Sequence, residues 1–256
     1  MGFEVAKSFT ELSFGEPRWK PSPLQARMVA AGRLGRKTGR GWYEYSGDDP
    51  YRPADPEPIE PAGDAPAIRL VGAPAELRER AADLGLAIDA ADGAVLVSCR
   101  TASLATQCGD VDACGIMIGP PLAGATMAEA TRLPGTSQAT AEAAERFLGA
   151  LGLRTEWVGD APGLVLRRIV CQLVNEAAFA IGEGVGSAAD VDAGMTLGLN
   201  HPRGPVAWSE VIGPALVLET IDGLWAERHE ERYRAAPLLR RAAALGASSI
   251  GEAAGA

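Results

Sequence analysis

Between Gly47 and Pro66 the chain carries Pro50, Pro53, Pro56, Pro58, Pro61 and Pro66, interspersed with acidic residues. Proline fixes φ and lacks a backbone N–H, so neither a helix nor a sheet ladder runs through such a stretch. An extended, solvated linker is the expected state. The fold must therefore be built separately on its two sides, from residues 1–46 and from residues 67–256. The segment 1–46 is short and rich in Arg and Lys. The segment from Ala67 onward is long enough to enclose a sizeable core.

Composition narrows the function classes. Hydrophobic residues make up 47% of the 256 and charged residues 22%, ordinary values for a soluble globular protein and unlike a disordered one. The net charge of −9 argues against nucleic acid or an anionic membrane as partner, since both need a basic footprint. No apolar run reaches the ~18 residues of a membrane span. The N-terminal residues show no signal-peptide pattern, and Ala6 stands where myristoylation wants Ser or Thr, so a cytoplasmic protein is expected. Only His201 and His229 could serve as a histidine base. Cys99, Cys108, Cys114 and Cys171 form no C-x-x-C pair, so no metal site is expected, and buried thiols are the simpler reading.

Local patterns then divide the chain. Pro23 to Ala31 reads as a short helix, with proline at its start and Gly32 after its end. From Ala67 to about residue 160 the pattern alternates. Strands are expected at Ile68–Val71, Leu86–Ile88, Ala94–Val97, Gly115–Ile118 and Thr155–Val158, with helices at Glu76–Leu84 and Ser137–Leu151. That alternation predicts a small parallel α/β sheet. From residue 161 the chain reads as helical. Leu166, Ile169, Val170, Leu173, Ala177 and Ala180 mark one face of a helix from Leu164 to Ile181. Ser187-Ala188-Ala189-Asp190 has the form of a capping box, Gly204-Pro205 opens another helix, and a longer one is expected from Ala215 to Glu230. The resulting division is 1–46, a linker 47–66, an α/β region 67–160, a helical domain 161–246 and a flexible tail 247–256.

Several residues invite a chemical reading. A dinucleotide site would place G-x-G-x-x-G after the first strand. Here the turn is Gly72-Ala73-Pro74-Ala75-Glu76-Leu77, with only the first glycine in place. Asp89 falls near the ~20-residue spacing of a ribose-binding acid. Gly72 and Asp89 are thus weak cofactor candidates, and the alternative is a sheet kept for its fold. Arg33, Arg36, Lys37 and Arg40 lie among glycines and could hold a phosphate, or form a solvated loop. His201 sits in a turn without an evident orienting acid, and His229 lies among charges. Arg167-Arg168 opens a long helix where positive charge opposes the helix dipole, which hints at an anion or acidic partner, but surface arginine is the simpler reading.

Pro162-Gly163-Leu164-Val165-Leu166-Arg167-Arg168-Ile169, Asn175-Glu176-Ala177, Glu183-Gly184-Val185, Asp190-Val191-Asp192 and Gly198 to Pro205 occur in an order and spacing that resembles the C-terminal helical domain of 3-hydroxyacyl-CoA dehydrogenases. Gly35 to Tyr45 resembles the G-K-T-G-x-G-[FW]-Y end of the same domain, here placed before the α/β region. The resemblance implies the tail of one helical domain, then a short degenerate Rossmann-like sheet, then a second helical domain, so the fold class is α/β plus all-α. More weakly, Gly115 to Gln138 resembles the family stretch holding H-F-F-N-P and the acid of the His-Glu catalytic pair. On that alignment the histidine position is Met117, the asparagine of H-F-F-N-P is Pro120, and the retained acid is Glu129. The family's T-S-S-L is Thr101-Ala102-Ser103-Leu104, with Ala102 at its substrate-contacting serine, and the asparagine of P-G-F-x-x-N-R is Arg167.

Oxidising a 3-hydroxyl needs a base for the hydroxyl proton as hydride leaves to the nicotinamide. Methionine cannot be that base, and Glu129 would have no histidine to orient. The resemblance thus implies NAD and acyl-CoA for the family, within fatty-acid β-oxidation or a related acyl-CoA pathway, and a pseudoenzyme-like role for these residues. NAD is not expected to bind this chain alone. The expected partner is a catalytic dehydrogenase domain or a homologous helical domain, with homo-oligomers possible. A free-standing interaction module is the alternative. An active enzyme using His201 is the least favoured reading.

Overall fold

The computed structural model describes residues 2–45, 57–61 and 65–255, so most of the proline-rich linker lies outside the described residues. The chain forms two compact units, one made of the N-terminal segment and the other of nearly everything from Pro58 onward.

The N-terminal unit contains helices α1 (Gly2–Leu12) and α2 (Pro23–Ala30). Phe9 meets Trp19 edge to face at 6.1 Å, and the Thr10 hydroxyl donates to the Trp19 carbonyl at 2.6 Å. The glycine-rich block closes on itself. Gly35 N–H donates to the Arg40 carbonyl at 3.0 Å, and Leu34 N–H donates to the Thr38 hydroxyl at 3.0 Å. A Cβ on Gly41 would stand 2.7 Å from the Gly35 Cα, so this crossing requires glycine.

The larger unit begins with strand β1 (Ile68–Val71) and helix α3 (Ala75–Asp83). Next come β2 (Ala94–Ser98), α4 (Leu104–Cys108), β3 (Ala113–Ile118), β4 (Met127–Arg132), α5 (Gln138–Ala150) and β5 (Arg154–Trp157). The five strands lie in the order β1-β2-β3-β4-β5. β1–β2, β2–β3 and β4–β5 are parallel. The expected all-parallel sheet needs one correction, because β3–β4 is antiparallel. Residues 119–126 return the chain directly to the neighbouring position without a crossover helix. β4 was not legible as a strand: Met-Ala-Glu-Ala-Thr-Arg is buried at four successive positions, so it lacks the alternation of a half-buried strand. Leu86–Ile88 contributes only a single bridge, between Ile88 and Ile68.

Helical elements complete the unit: α6 (Leu166–Gly182), α7 (Ala188–Ala193), α8 (Pro205–Ile212), α9 (Pro214–Arg228), α10 (Pro237–Leu245) and α11 (Ile250–Gly255). The predicted capping box at Ser187 and Asp190 is formed in both directions. The helix that this box opens, α7, passes into a π-turn at Gly194–Gly198. Residues 247–255 are not a loose tail: Ile250 and Ala253 are buried in the helical core, beside Leu239 and Ala242. Periodicity over so short a segment is too weak to show this. The unit has one core among the helices and two on the sheet, one under α5 and a smaller one around Val97, Cys99, Leu104, Met117 and Leu164. Cys99, Cys114 and Cys171 are buried free thiols, as expected, while Cys108 is half-buried.

Candidate functional site

Met117 on β3 and Glu129 on β4 are directly opposed in the antiparallel register. Cross-strand partners present their side chains on the same sheet face. Both are buried. The two positions that the family resemblance assigns to a histidine and its acid are therefore neighbours on one sheet face, occupied here by Met117 and Glu129.

Glu129 is not idle. Its Oε1 accepts from Leu166 N–H at 2.9 Å and its Oε2 from Val165 N–H at 3.1 Å. These amides are orphan donors at the start of α6, and a carboxylate there also complements the helix dipole. Burial raises the Glu129 carboxyl above its ordinary range, opposed by the two amides and the Arg168 charge. Glu129 faces a methionine and orients the entry into α6 instead.

Beside this pair lies a cleft of about 280 Å³, lined by Met117, Ile118, Gly119 and Pro120 of the β3 end, by Ser98 and Arg100 after β2, and by Arg167 of α6. Leu122, Ile212 and Leu216 extend its apolar wall. Arg167 is 5% exposed, and its Nε and Nη1 are buried without a hydrogen-bond partner. Burial lowers its pKa, and the nearby Arg100 charge adds to this. Cys171, one turn further on α6, is held neutral, its pKa pushed up to about 11 by burial. The expected surface arginine is corrected at Arg167: the packing of α6 against the sheet encloses it, which its place at a helix start does not show.

The weak dinucleotide candidates do not assemble a site. Gly72 adopts φ 64°, as its turn requires, but Pro74 caps α3 without a backbone N–H, and Glu76 lies in the first turn. Asp89 is ion-paired with Arg78, which also donates to the Leu70 carbonyl at 2.8 Å. The strand order shows no reversal among the described residues, whereas a dinucleotide binds at the crevice where strand order reverses. These residues do not fit NAD.

Ser103 is buried and caps α4, its Oγ accepting from Thr106 N–H at 3.2 Å, while Asp160 accepts from Leu104 and Ala105 N–H at 2.8 and 2.9 Å. Ser103, the second serine of the T-S-S-L stretch, thus has a structural role as the cap of α4, while the substrate-contacting position is Ala102. Neither His201 nor His229 lines the cleft. His201 N–H donates to the Met195 carbonyl at 3.2 Å, and His229 ends α9 in a left-handed conformation. In the basic run, Arg40 pairs with Glu44 and Arg36 lies over the Tyr45 ring, around a short 3₁₀ turn rather than a strand–loop–helix.

The quoted family blocks meet in space. Asp192 accepts from Val206 and Ala207 N–H at 2.7 and 3.1 Å, so it caps the helix that Gly204-Pro205 opens. A Cβ on Gly204 would overlap the Asp192 carboxyl group. Asn175, fully buried, donates to the Arg234 carbonyl at 2.9 Å and accepts from Ala236 N–H at 2.8 Å.

The family model for the 3-hydroxyacyl-CoA dehydrogenase C-terminal domain matches residues 1–45 and 163–255. The 3-hydroxyadipyl-CoA dehydrogenase of Escherichia coli (strain K12) is 29% identical over 251 residues, covering 96% of this chain and 48% of that protein. The crystal structure of 3-hydroxybutyryl-CoA dehydrogenase from Escherichia coli K12 covers 95% of this chain and 48% of its own, with a TM-score of 0.67 at 24% identity, a likeness of fold. That of (S)-3-hydroxybutyryl-CoA dehydrogenase from Ralstonia eutropha covers 70% of this chain and 65% of its own, with a TM-score of 0.56 at 29% identity. The chain spans about half the length of the curated relatives first matched. With the domain model covering more than half its residues, the chain belongs to the 3-hydroxyacyl-CoA dehydrogenase family.

Proposed function

We propose that this chain is a supporting, non-catalytic portion of an NAD-dependent 3-hydroxyacyl-CoA dehydrogenase acting in fatty-acid β-oxidation or a related acyl-CoA pathway. Catalysis is supplied by a dehydrogenase domain elsewhere, and NAD and acyl-CoA are that domain's ligands. The observation that carries this reading is Met117 opposite Glu129. A thioether accepts no proton near neutral pH, and both Glu129 oxygens are engaged with the start of α6. The misfit of Gly72, Pro74 and Asp89 to a dinucleotide supports it.

The test is NADH formation from a 3-hydroxyacyl-CoA and NAD by the purified chain, with calorimetric titration of NAD alongside. The expected result is no turnover and no saturable binding. Turnover, or NAD binding at micromolar affinity, would overturn the reading.

A pairing role has its own support. Ile169 on α6 and Val185, Leu197 and Leu199 further along are exposed apolar side chains. Such surface fits association with a homologous helical domain, or with a second copy of this chain. Light scattering over a concentration series is the measurement, and a monomer throughout would remove self-association.

A further inference from the structure

We propose that the cleft beside β3 binds a short aliphatic carboxylate, with Arg167 as its buried anchor and Arg100 as a second cation. Burying a charge is unfavourable unless it is paired, and buried donors are ordinarily hydrogen-bonded. Arg167 breaks both rules: it is 5% exposed, its Nε and Nη1 lack partners, and no acid pairs with it among the described residues. Glu129 uses both oxygens on α6 amides, and the Cys171 thiol stays protonated. Arg100 also lines the cleft, and its guanidinium donates to the Gly72 carbonyl at 3.3 Å. Two cationic side chains therefore line one cavity, and neither is ion-paired among the described residues.

The lining selects the ligand. A guanidinium presents a planar fork that pairs a carboxylate through two parallel hydrogen bonds. The rest of the wall, Met117, Ile118, Pro120, Leu122, Ile212 and Leu216, offers apolar contact and suits an aliphatic body. Inorganic phosphate would leave oxygens facing that wall unsatisfied. Glu76 also lines the cleft and disfavours a second negative charge on the ligand. A volume of about 280 Å³ is at the small end for ligand pockets. This inference concerns binding and holds whether or not the chain takes part in catalysis.

The experiment is calorimetric titration of the full chain with hexanoate, hexanol and inorganic phosphate, repeated on Arg167→Met, Arg167→Lys and Arg100→Met. Hexanoate is expected to bind saturably, hexanol and phosphate at least tenfold more weakly. Arg167→Met should weaken hexanoate at least tenfold while raising the unliganded melting temperature, since it removes a buried unpaired charge. Arg167→Lys, which keeps the charge but loses the fork, and Arg100→Met should weaken it less. Absence of saturable hexanoate binding, equal affinity for hexanol, preference for phosphate, or unchanged affinity in Arg167→Met would each overturn the proposal. If Arg167→Met does not fold, the ligand series on the wild type and Arg167→Lys decides it.

Discussion

Met117 and Glu129 face each other across β3 and β4, and Glu129 turns its carboxylate away from any acid–base role to hold the first amides of α6. One side chain thereby joins the sheet to the helical half. Replacing Glu129 with Ala should cost about 2–3 kcal/mol, the scale for leaving buried donors without their charged acceptor. Glu129→Gln, which keeps one acceptor, should cost about half of that. Urea denaturation of the two variants checks the order, and equal stability of Glu129→Ala and wild type would contradict the cap.

Glu129 also gives a pH signature. Its carboxyl is raised in the folded protein, chiefly by burial, so the folded state binds the proton more tightly than the unfolded chain. The stabilisation from this proton is complete below the ordinary glutamate pKa and is lost as pH rises through the raised folded value. The stability of wild type relative to Glu129→Gln should therefore fall over that window, in urea titrations from mildly acidic to neutral pH. A difference that grows with pH would reverse the sign.

Met117→His restores the residue type of the family pair at a buried position. It should still produce no NADH from a 3-hydroxyacyl-CoA and NAD, because the turn at Gly72–Glu76 does not fit the cofactor. Exchanging a packed thioether among Val97, Cys99, Leu104 and Leu164 for an imidazole should also lower stability by about 1–2 kcal/mol. Turnover in this variant would show that the methionine alone silences the site.

Asn175 ties α6 to the segment before α10 with both ends of its amide. Asn175→Leu leaves the Arg234 carbonyl and the Ala236 amide without this partner, at a cost of about 2–4 kcal/mol. Thermal or chemical denaturation measures it, and a neutral result would mean that water replaces the side chain.

Gly223 on α9 lies so close to the loop after β2 that a Cβ would overlap the Thr101 carbonyl oxygen. Gly223→Ala must separate the two or distort the helix, which overrides the usual gain from alanine in a helix. A loss of about 3 kcal/mol is expected, at the upper end for overpacking. A stabilised variant would show that this approach is looser.

Sequence by itself determined the local elements whose signals are local. The strands at Ile68, Ala94 and Ala113, the helix after Ser137 and the capping box at Ser187 each arise from period, caps and breakers within a few residues. It also determined the family, because the blocks from Pro162 to Pro205 carry their order and spacing on the chain itself. The tertiary structure decided what those blocks do. Asp192 meets the helix opened at Gly204, Glu129 meets α6, and Arg167 is enclosed in a cleft, each through residues that the linear pattern does not bring together. β4 and α11 were illegible for the same reason: their stability comes from burial against distant elements rather than from their own periodicity.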